Sequence, residues 1–268
     1  MVASCLLRGA EAGCRYQQGF IKGKYMFRHI ALAALAVGSL TACQNMDMAG
    51  MVGAASSLFQ AATVSDEQIQ ELAVSSQQQL DSQNKIASAN SKYATRLARV
   101  TRNLSSYQGT PLQFKAYLNP EVNAFALPNG SIRVYSGLMD KMTDNELLFV
   151  LGHEVGHVIE GHSKAQARSS MLTLAAQQAG AASGVPILST LSGSQLGALA
   201  NGLVNAQYSQ SHEYAADAFG LKVLKEQGHD KSAAVSALRK LESLSGGSAG
   251  VFSSHPDSGN RADRIEAM

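Results

Sequence analysis

The chain has 268 residues, 45% of them hydrophobic and 16% charged, with 24 glycines, 5 prolines and 3 cysteines. This composition excludes chain-wide disorder and a disulfide-rich scaffold, and it supplies apolar material for one sizeable core or two small ones. The formal charge is only +2, so the chain lacks the electrostatic footprint of a nucleic-acid binder.

Residues 28–43 join a basic start, Arg28-His29, to a short apolar run from Ile30 to Val37 and a small-residue stretch ending Leu40-Thr41-Ala42-Cys43. That is the order of a secretory signal, and it is too short for an ordinary membrane span. The last four residues resemble the bacterial lipobox, whose Cys is diacylated and becomes the first mature residue. A plain signal peptide or a short buried helix are the alternatives. Met26, with Lys22, Lys24 and Arg28 nearby, would open a signal of the usual length, so residues 1–25 read as a misassigned start rather than a domain. Cleavage before Cys43 removes Arg8, Arg15, Lys22, Lys24 and Arg28 against Glu11. The 226 residues left carry 17 basic and 19 acidic groups, a formal −2, and Cys43 is their only thiol.

Residues 43–64, rich in Gly, Ala, Met and Ser, read as a lipidated tether. Ser65-Asp66-Glu67-Gln68 is a capping box, and apolar residues from Ile69 to Val100 predict two helices over about 65–104. Leu112, Phe114, Ala116 and Leu118 alternate with polar residues and Tyr117, which predicts a half-buried strand. A second strand, 123–128, ends at Pro128 and therefore suits a sheet edge or a strand end. Asn129-Gly130 signals a hairpin, and 131–135 is the returning strand. Thr143-Asp144-Asn145-Glu146 is another capping box, opening an apolar helix that Gly161 can stop. Residues 163–206 predict one or two amphipathic helices with a loop near Gly184, too interrupted by Gly and Ser to cross a membrane. Their small residues and place in the chain suggest a lid or plug. Helices over about 207–226 and 231–244 follow, then a short C-terminal one.

His153-Glu154-Val155-Gly156-His157 lies within the 143–160 helix. Histidines at i and i+4 share a face and can reach one metal ion. Glu154 is rotated by about 100° from His153, beside the ion, where a general base for an activated water belongs. Two surface histidines would be the plain alternative, but Leu147, Leu148, Phe149, Val150, Leu151 and Val155 mark the helix as buried, and buried polar groups need partners. An exported chain without paired cysteines must rest on its core and, where one is bound, a metal.

Spacing discriminates among third ligands. The metzincin pattern wants Gly three and His six residues after the second His, and Glu160 and Ser163 stand there. His162, five residues on, reads as a histidine near a helix C-terminus. The gluzincin pattern wants a later Glu followed four residues on by Asp, and Glu213 and Asp217 supply it. Glu213 can ligate zinc while Asp217 hydrogen-bonds the far nitrogen of a ligating His. Ala215 and Ala216 leave room for close helix contact.

With these motifs the chain resembles the zinc metallopeptidases related to HtpX and the CAAX prenyl proteases, especially their small bacterial periplasmic lipoproteins. The likeness is densest from Asn119 to His162 and includes the 123–128 strand, the hairpin, Arg133-Val-Tyr-Ser-Gly-Leu138 and both metal motifs. It also includes His255-Pro256 with Arg261 six residues after the His. The resemblance implies one zinc ion held by His153, His157 and Glu213, with Glu154 as the base. It implies a mainly α, α+β zincin-like fold, with a small antiparallel sheet packed on the H-E-x-x-H helix. It also implies that residues 65–268 form a single metallopeptidase domain. The strand carrying Asn123, Ala124, Phe125 and Ala126 would bind extended substrate, as an unpaired edge does. Asn129 stands where relatives often have Gly, and Asn also accepts left-handed backbone. His255 would act in catalysis, as a reversible fourth ligand or as an oxyanion donor, with a surface histidine as the alternative. Arg261 would pair with Asp217 or another acidic group, or lie at the surface.

The implied function is a zinc endopeptidase anchored by lipid at Cys43, with unfolded or damaged envelope proteins as substrates and other envelope quality-control proteins as further partners. Gln44, where inner-membrane lipoproteins often carry Asp, favours the periplasmic face of the bacterial outer membrane. A chaperone-like lipoprotein that cleaves rarely is the second reading, and Glu154 counts against it. An exopeptidase, the third, would need a charged subsite.

Overall fold

The structure, a computed structural model, describes residues 64–178, 191–245 and 254–268. The expected signal, Cys43, nearly all of the tether and the loop near Gly184 lie outside the described residues.

The chain opens with α1 (Asp66–Gln83) and α2 (Lys92–Val100), which begin at Ser65 and Ser91. At the first, the capping box forms: Gln68 N–H donates to Ser65 Oγ at 3.3 Å and Ser65 N–H to Gln68 Oε1 at 2.9 Å. A tight ribbon follows, β1 (Ser106–Tyr107) paired antiparallel with β2 (Thr110–Pro111). Three strands follow: β3 (Gln113–Tyr117), β4 (Ala124–Ala126) and β5 (Ser131–Tyr135). Then come α3 (Ser136–Lys141), which the sequence reading lacks, and α4 (Asp144–Ile159). After these lie α5 (His162–Gln178), α6 (Gly193–Val204), α7 (Gln210–Glu226), α8 (Ser232–Ser245) and α9 (Ser258–Glu266). The mainly helical α+β expectation holds.

The sheet differs from expectation in one respect. Its order is β3–β5–β4, with β4 antiparallel to β5 but β3 parallel to it. The sheet is mixed because β5 takes the centre and the hairpin carries β4 to the far side. In the hairpin, Gly130 N–H donates to Leu127 O at 3.0 Å, so Pro128 and Asn129 are the central residues. Gly130, not Asn129, takes the left-handed backbone, with φ 78°.

Two cores lie on the two faces of this sheet. In the first, Ile132 and Val134 pack with α4, with Phe219 and Val223 of α7, with Leu238 and Leu241 of α8 and with Ile265 of α9. Leu147, Leu148, Val150, Leu151 and Val155 of α4 are each 2% exposed or less. At roughly 1.5–3 kcal/mol per buried aliphatic side chain, this packing outweighs the cost of Gly152 and Gly156, about 1 kcal/mol each in a helix interior.

The second core joins Ile69, Leu72 and Leu80 of α1 to Tyr117, Phe125, Leu127 and Tyr135 of the sheet region and to Met171, Leu199, Ala200 and Leu203 of α5 and α6. It corrects one expectation: Tyr117 is wholly buried rather than on a solvated face, while Leu118 is exposed, because α1 covers that side of β3. The described helices of the 163–206 stretch pack Met171, Leu199, Ala200 and Leu203 into this core.

A charge cluster fastens α1 to the sheet. Arg133, fully buried, donates through Nε to Asp81 Oδ1 at 2.9 Å and through Nη2 to Oδ2 at 3.1 Å. Tyr117 Oη donates to the same carboxylate at 2.6 Å and Lys115 Nζ at 3.0 Å. Burial alone would raise the Asp81 carboxyl, but these donors hold it well below the usual carboxylate range.

Candidate metal centre

α4 starts sharply. Glu146 N–H donates to Thr143 Oγ1 at 3.4 Å, and Glu146 Oε2 accepts from Thr143 N–H at 2.6 Å. The same carboxylate takes Lys240 Nζ at 2.7 Å and the Ser236 hydroxyl, so α8 grips the first turn of α4. Burial would raise the Glu146 carboxyl, but these donors outweigh it and bring it down to about 2.

Farther along, α4 meets α7 almost backbone to backbone. A Cβ on Gly156 would lie 2.9 Å from Phe219 Cβ and 3.0 Å from Ala216 Cα, and one on Gly152 would lie 3.1 Å from Gly220 Cα. Only glycine permits this approach, and the approach brings Glu213 and Asp217 against His153 and His157.

Four donors converge there, one each from His153, His157, Glu213 and His255, all within 4.8 Å of one another and all buried. His157 Nε2 lies 3.0 Å from His153 Nε2 and 3.4 Å from Glu213 Oε1. His153 Nε2 lies 3.5 Å from Glu213 Oε2. His255 Nδ1 lies 3.2 Å from His153 Nε2 and 3.0 Å from Glu213 Oε1.

Zinc fits this set. Donors about 2.0–2.1 Å from a tetrahedral ion stand about 3.3–3.4 Å apart, close to the separations here. Arg261 Nη1 lies against Glu213 Oε2, which leaves Oε1 turned toward His157 and His255.

The surroundings set proton positions. His153 Nδ1 lies 2.9 Å from Asp217 Oδ1, which also takes Arg261 Nη2 at 2.6 Å. The carboxylate therefore keeps the proton on Nδ1 and leaves Nε2 with its lone pair toward the ion. Arg261 Nη2 also approaches His153 Nδ1, at 3.2 Å, but both carry protons in this tautomer and Asp217 is their shared acceptor. Arg261, buried on α9, pairs with Glu213 as well, through Nη1 at 2.5 Å. Burial opposes the Asp217 charge, yet Arg261 and His153 bring its carboxyl down to about 2.

Glu213 is held ionised against burial by His255, His153 and His157. Burial pushes the His157 imidazole well below its ordinary value. Burial acts the same way on His255, but Glu154 and Glu213 outweigh it and raise its pKa. Glu154 itself is buried, with Oε1 3.3 Å from His255 Nε2.

Every candidate residue named from sequence on α4, α7 and the C-terminal segment thus lies in one cluster. Ala124, Phe125 and Ala126 form β4, with Asn123 just before it, at a sheet edge that packs against α4. Asn123 Oδ1 is buried and makes no hydrogen bond. Phe125 points its ring into the second core, 6.2 Å from Tyr117 and 6.3 Å from Tyr135, so only its main chain faces along the edge. The strand is covered in this state: Ala124, Phe125 and Ala126 are at most 7% exposed.

Three more residues join the cluster: Tyr208 and His212, which the sequence does not single out, and His162, which it reads as a histidine near a helix C-terminus. Tyr208 stacks on His157 at 3.8 Å between ring centroids. His162 places Nδ1 3.2 Å from His157 Nδ1, and His212 stacks on His162 at 4.1 Å. Burial and His212 push the His162 imidazole down to about 4. The only sequence signal for them is nearness to the two motifs.

An H-E-x-x-H helix crossed by a later helix bearing Glu and Asp four apart, beside a sheet edge, defines a zinc metallopeptidase of the gluzincin kind. Comparison with known proteins agrees. A family model described as Peptidase family M48 matches residues 87–268, and the chain belongs to that family. It is 43% identical to the Metalloprotease LoiP of Escherichia coli (strain K12) over 237 residues, covering 87% of this chain and 94% of that protein. It is also 43% identical to the Metalloprotease YcaL of the same organism over 238 residues, 87% of this chain and 93% of that one. The Beta-barrel assembly-enhancing protease of Yersinia pestis is 34% identical over 160 residues, 53% of this chain and 30% of that protein. The chain is therefore a zinc-dependent metalloprotease, as the resemblance implied.

Proposed function

We propose that this metalloprotease is an endopeptidase for unfolded or damaged envelope proteins, held by lipid at Cys43 on the periplasmic face of the outer membrane. The observation that carries the catalytic part is the convergence of His153, His157 and Glu213, with Glu154 beside them at the same buried point. The lipobox-like residues before Cys43 support the anchoring, and the name of the Yersinia relative, a beta-barrel assembly-enhancing protease, supports β-barrel proteins among the substrates.

His153, His157 and Glu213 would hold the ion, and Asp217, backed by Arg261, fixes the His153 tautomer. Bound there, zinc would supply Lewis acidity toward the attacking water and the scissile carbonyl. Glu154 takes the proton of that water and returns it to the leaving amine. The outer side of β4 receives the substrate main chain in extended form, with Asn123 Oδ1 as an acceptor for a substrate N–H.

The covered β4 and the position of His255 favour a closed resting state. His255 would complete the donor set as a fourth ligand while meeting Glu154 through its other nitrogen, so substrate would have to displace it. This same closure supports the second reading, a lipoprotein that binds unfolded chains and cleaves them rarely.

The test is casein hydrolysis by a soluble form beginning after Cys43, beside its Glu154→Gln variant, with zinc quantified in both. About one zinc per chain in each, with cleavage reduced about 10²–10⁴-fold in the variant, is the expected result. Equal cleavage by the two would remove Glu154 from the mechanism. Zinc in both with cleavage in neither would favour the binding reading.

A further inference from the structure

In a continuous helix a residue five positions after His157 would be rotated about 140° from it, and its side chain would point away. Gly161 changes this. Its backbone is left-handed, with φ 74°, and it ends α4 so that α5 begins at once at His162. The reversal turns the His162 ring back onto the last turn of α4. There Nδ1 comes to 3.2 Å from His157 Nδ1, while His157 Nε2 faces His153 and Glu213 on the other side.

His157 can offer a lone pair from Nε2 only as the neutral tautomer that carries its proton on Nδ1. His157 is fully buried, so that N–H requires an acceptor inside the protein. Among the described residues the group in hydrogen-bonding range of Nδ1 is His162 Nδ1. It accepts when His162 carries its own proton on Nε2. The His162 ring is itself held, stacked on His212 at 4.1 Å and 19°. Tyr208 fixes the plane of His157 from its face, at 3.8 Å and 23°.

We propose that His162 is the positioning residue for the second metal-binding histidine: its Nδ1 accepts the hydrogen bond of the His157 Nδ1–H, and so fixes the tautomer and ring orientation that zinc binding needs. The two histidines are then supported unequally. His153 leans on a carboxylate, Asp217, and His157 on a neutral imidazole. His162 touches neither substrate nor ion, and the proposal rests on the ligand assignment given above.

The test is zinc affinity of the full-length chain in detergent, measured by competition with a chromophoric chelator. An Asn side chain places its amide oxygen where His carries Nδ1, whereas Gln reaches the position of Nε2. His162→Asn should therefore bind zinc within about threefold of the wild type. His162→Leu and His162→Gln should bind about 10–100-fold more weakly. Thermal midpoints of the metal-stripped proteins report the fold separately. Wild-type affinity in His162→Leu would overturn the proposal, as would equal weakening in the Asn and Leu variants, which marks a packing role. His157→Ala is the control: if it leaves the affinity unchanged, the ligand assignment itself falls.

Discussion

His255 Nε2 lies 3.3 Å from Glu154 Oε1, while its Nδ1 lies 3.2 Å from His153 Nε2. One ring thus closes the fourth corner of the donor set and occupies the base at the same time. Removing it should free both. His255→Ala is expected to keep its zinc and to hydrolyse casein about tenfold faster, the gain if roughly a tenth of the wild-type molecules stand open at rest. A rate that falls a hundredfold instead would make His255 an oxyanion donor.

Metal removal should loosen the fold around the cluster. His153, Glu154, His157, Glu213 and Asp217 are all buried, and the ion is the partner that justifies their burial together. Free zinc at a hundred times its dissociation constant stabilises the folded state by about 2.7 kcal/mol. For a domain of about 200 residues this is on the order of 5–10 °C in thermal midpoint. Differential scanning fluorimetry with and without a chelator measures it, and an unchanged midpoint refutes the expectation.

Gly156→Ala tests the helix crossing. The added methyl meets Phe219 Cβ and Ala216 Cα at 3.0 Å or less, so α4 and α7 must part. Overpacking of this kind costs about 1–3 kcal/mol. Because Glu213 rides on α7, zinc affinity should fall together with stability. A variant with lower stability but unchanged zinc affinity would show that the crossing does not set the ligand distance.

Acid should weaken the grip of α8 on α4. The Glu146 carboxyl has an ordinary value of 4.5 and lies at about 2 in the folded chain. A depressed folded-state pKa contributes stability that is full above 4.5 and is lost as pH falls from there toward 2. Glu146→Gln should be less stable than the wild type at pH 7, and the difference should shrink across that window. A difference that stays constant from pH 6 to pH 2.5 in denaturant titrations would exclude this contribution.

Asp81→Ala leaves the Arg133 guanidinium buried without its counter-charge, which typically costs about 3–5 kcal/mol. Arg133→Met removes the buried charge itself and should cost less. The order of the two unfolding midpoints in urea decides the matter.

The capping boxes, the H-E-x-x-H helix and the Glu213–Asp217 pair were legible because each is a local pattern whose geometry follows from helix periodicity. The hairpin was legible for the same reason. Tyr117 was not, since its burial depends on α1 crossing a strand more than thirty residues away in sequence. The parallel pairing of β3 with β5 escaped because alternation reports a face and not a neighbour. His162 escaped because helix periodicity puts it on the wrong side, and only the reversal at Gly161 aims it.

The family model matches from Ala87, yet Asp81 on the preceding helix neutralises a guanidinium at the centre of the sheet. A boundary drawn where that model starts would cut through a charge pair, not a linker. The unit that folds is therefore longer than the stretch the family model covers. A fragment begun at Ala87 would strand the buried Arg133 guanidinium without its counter-charge.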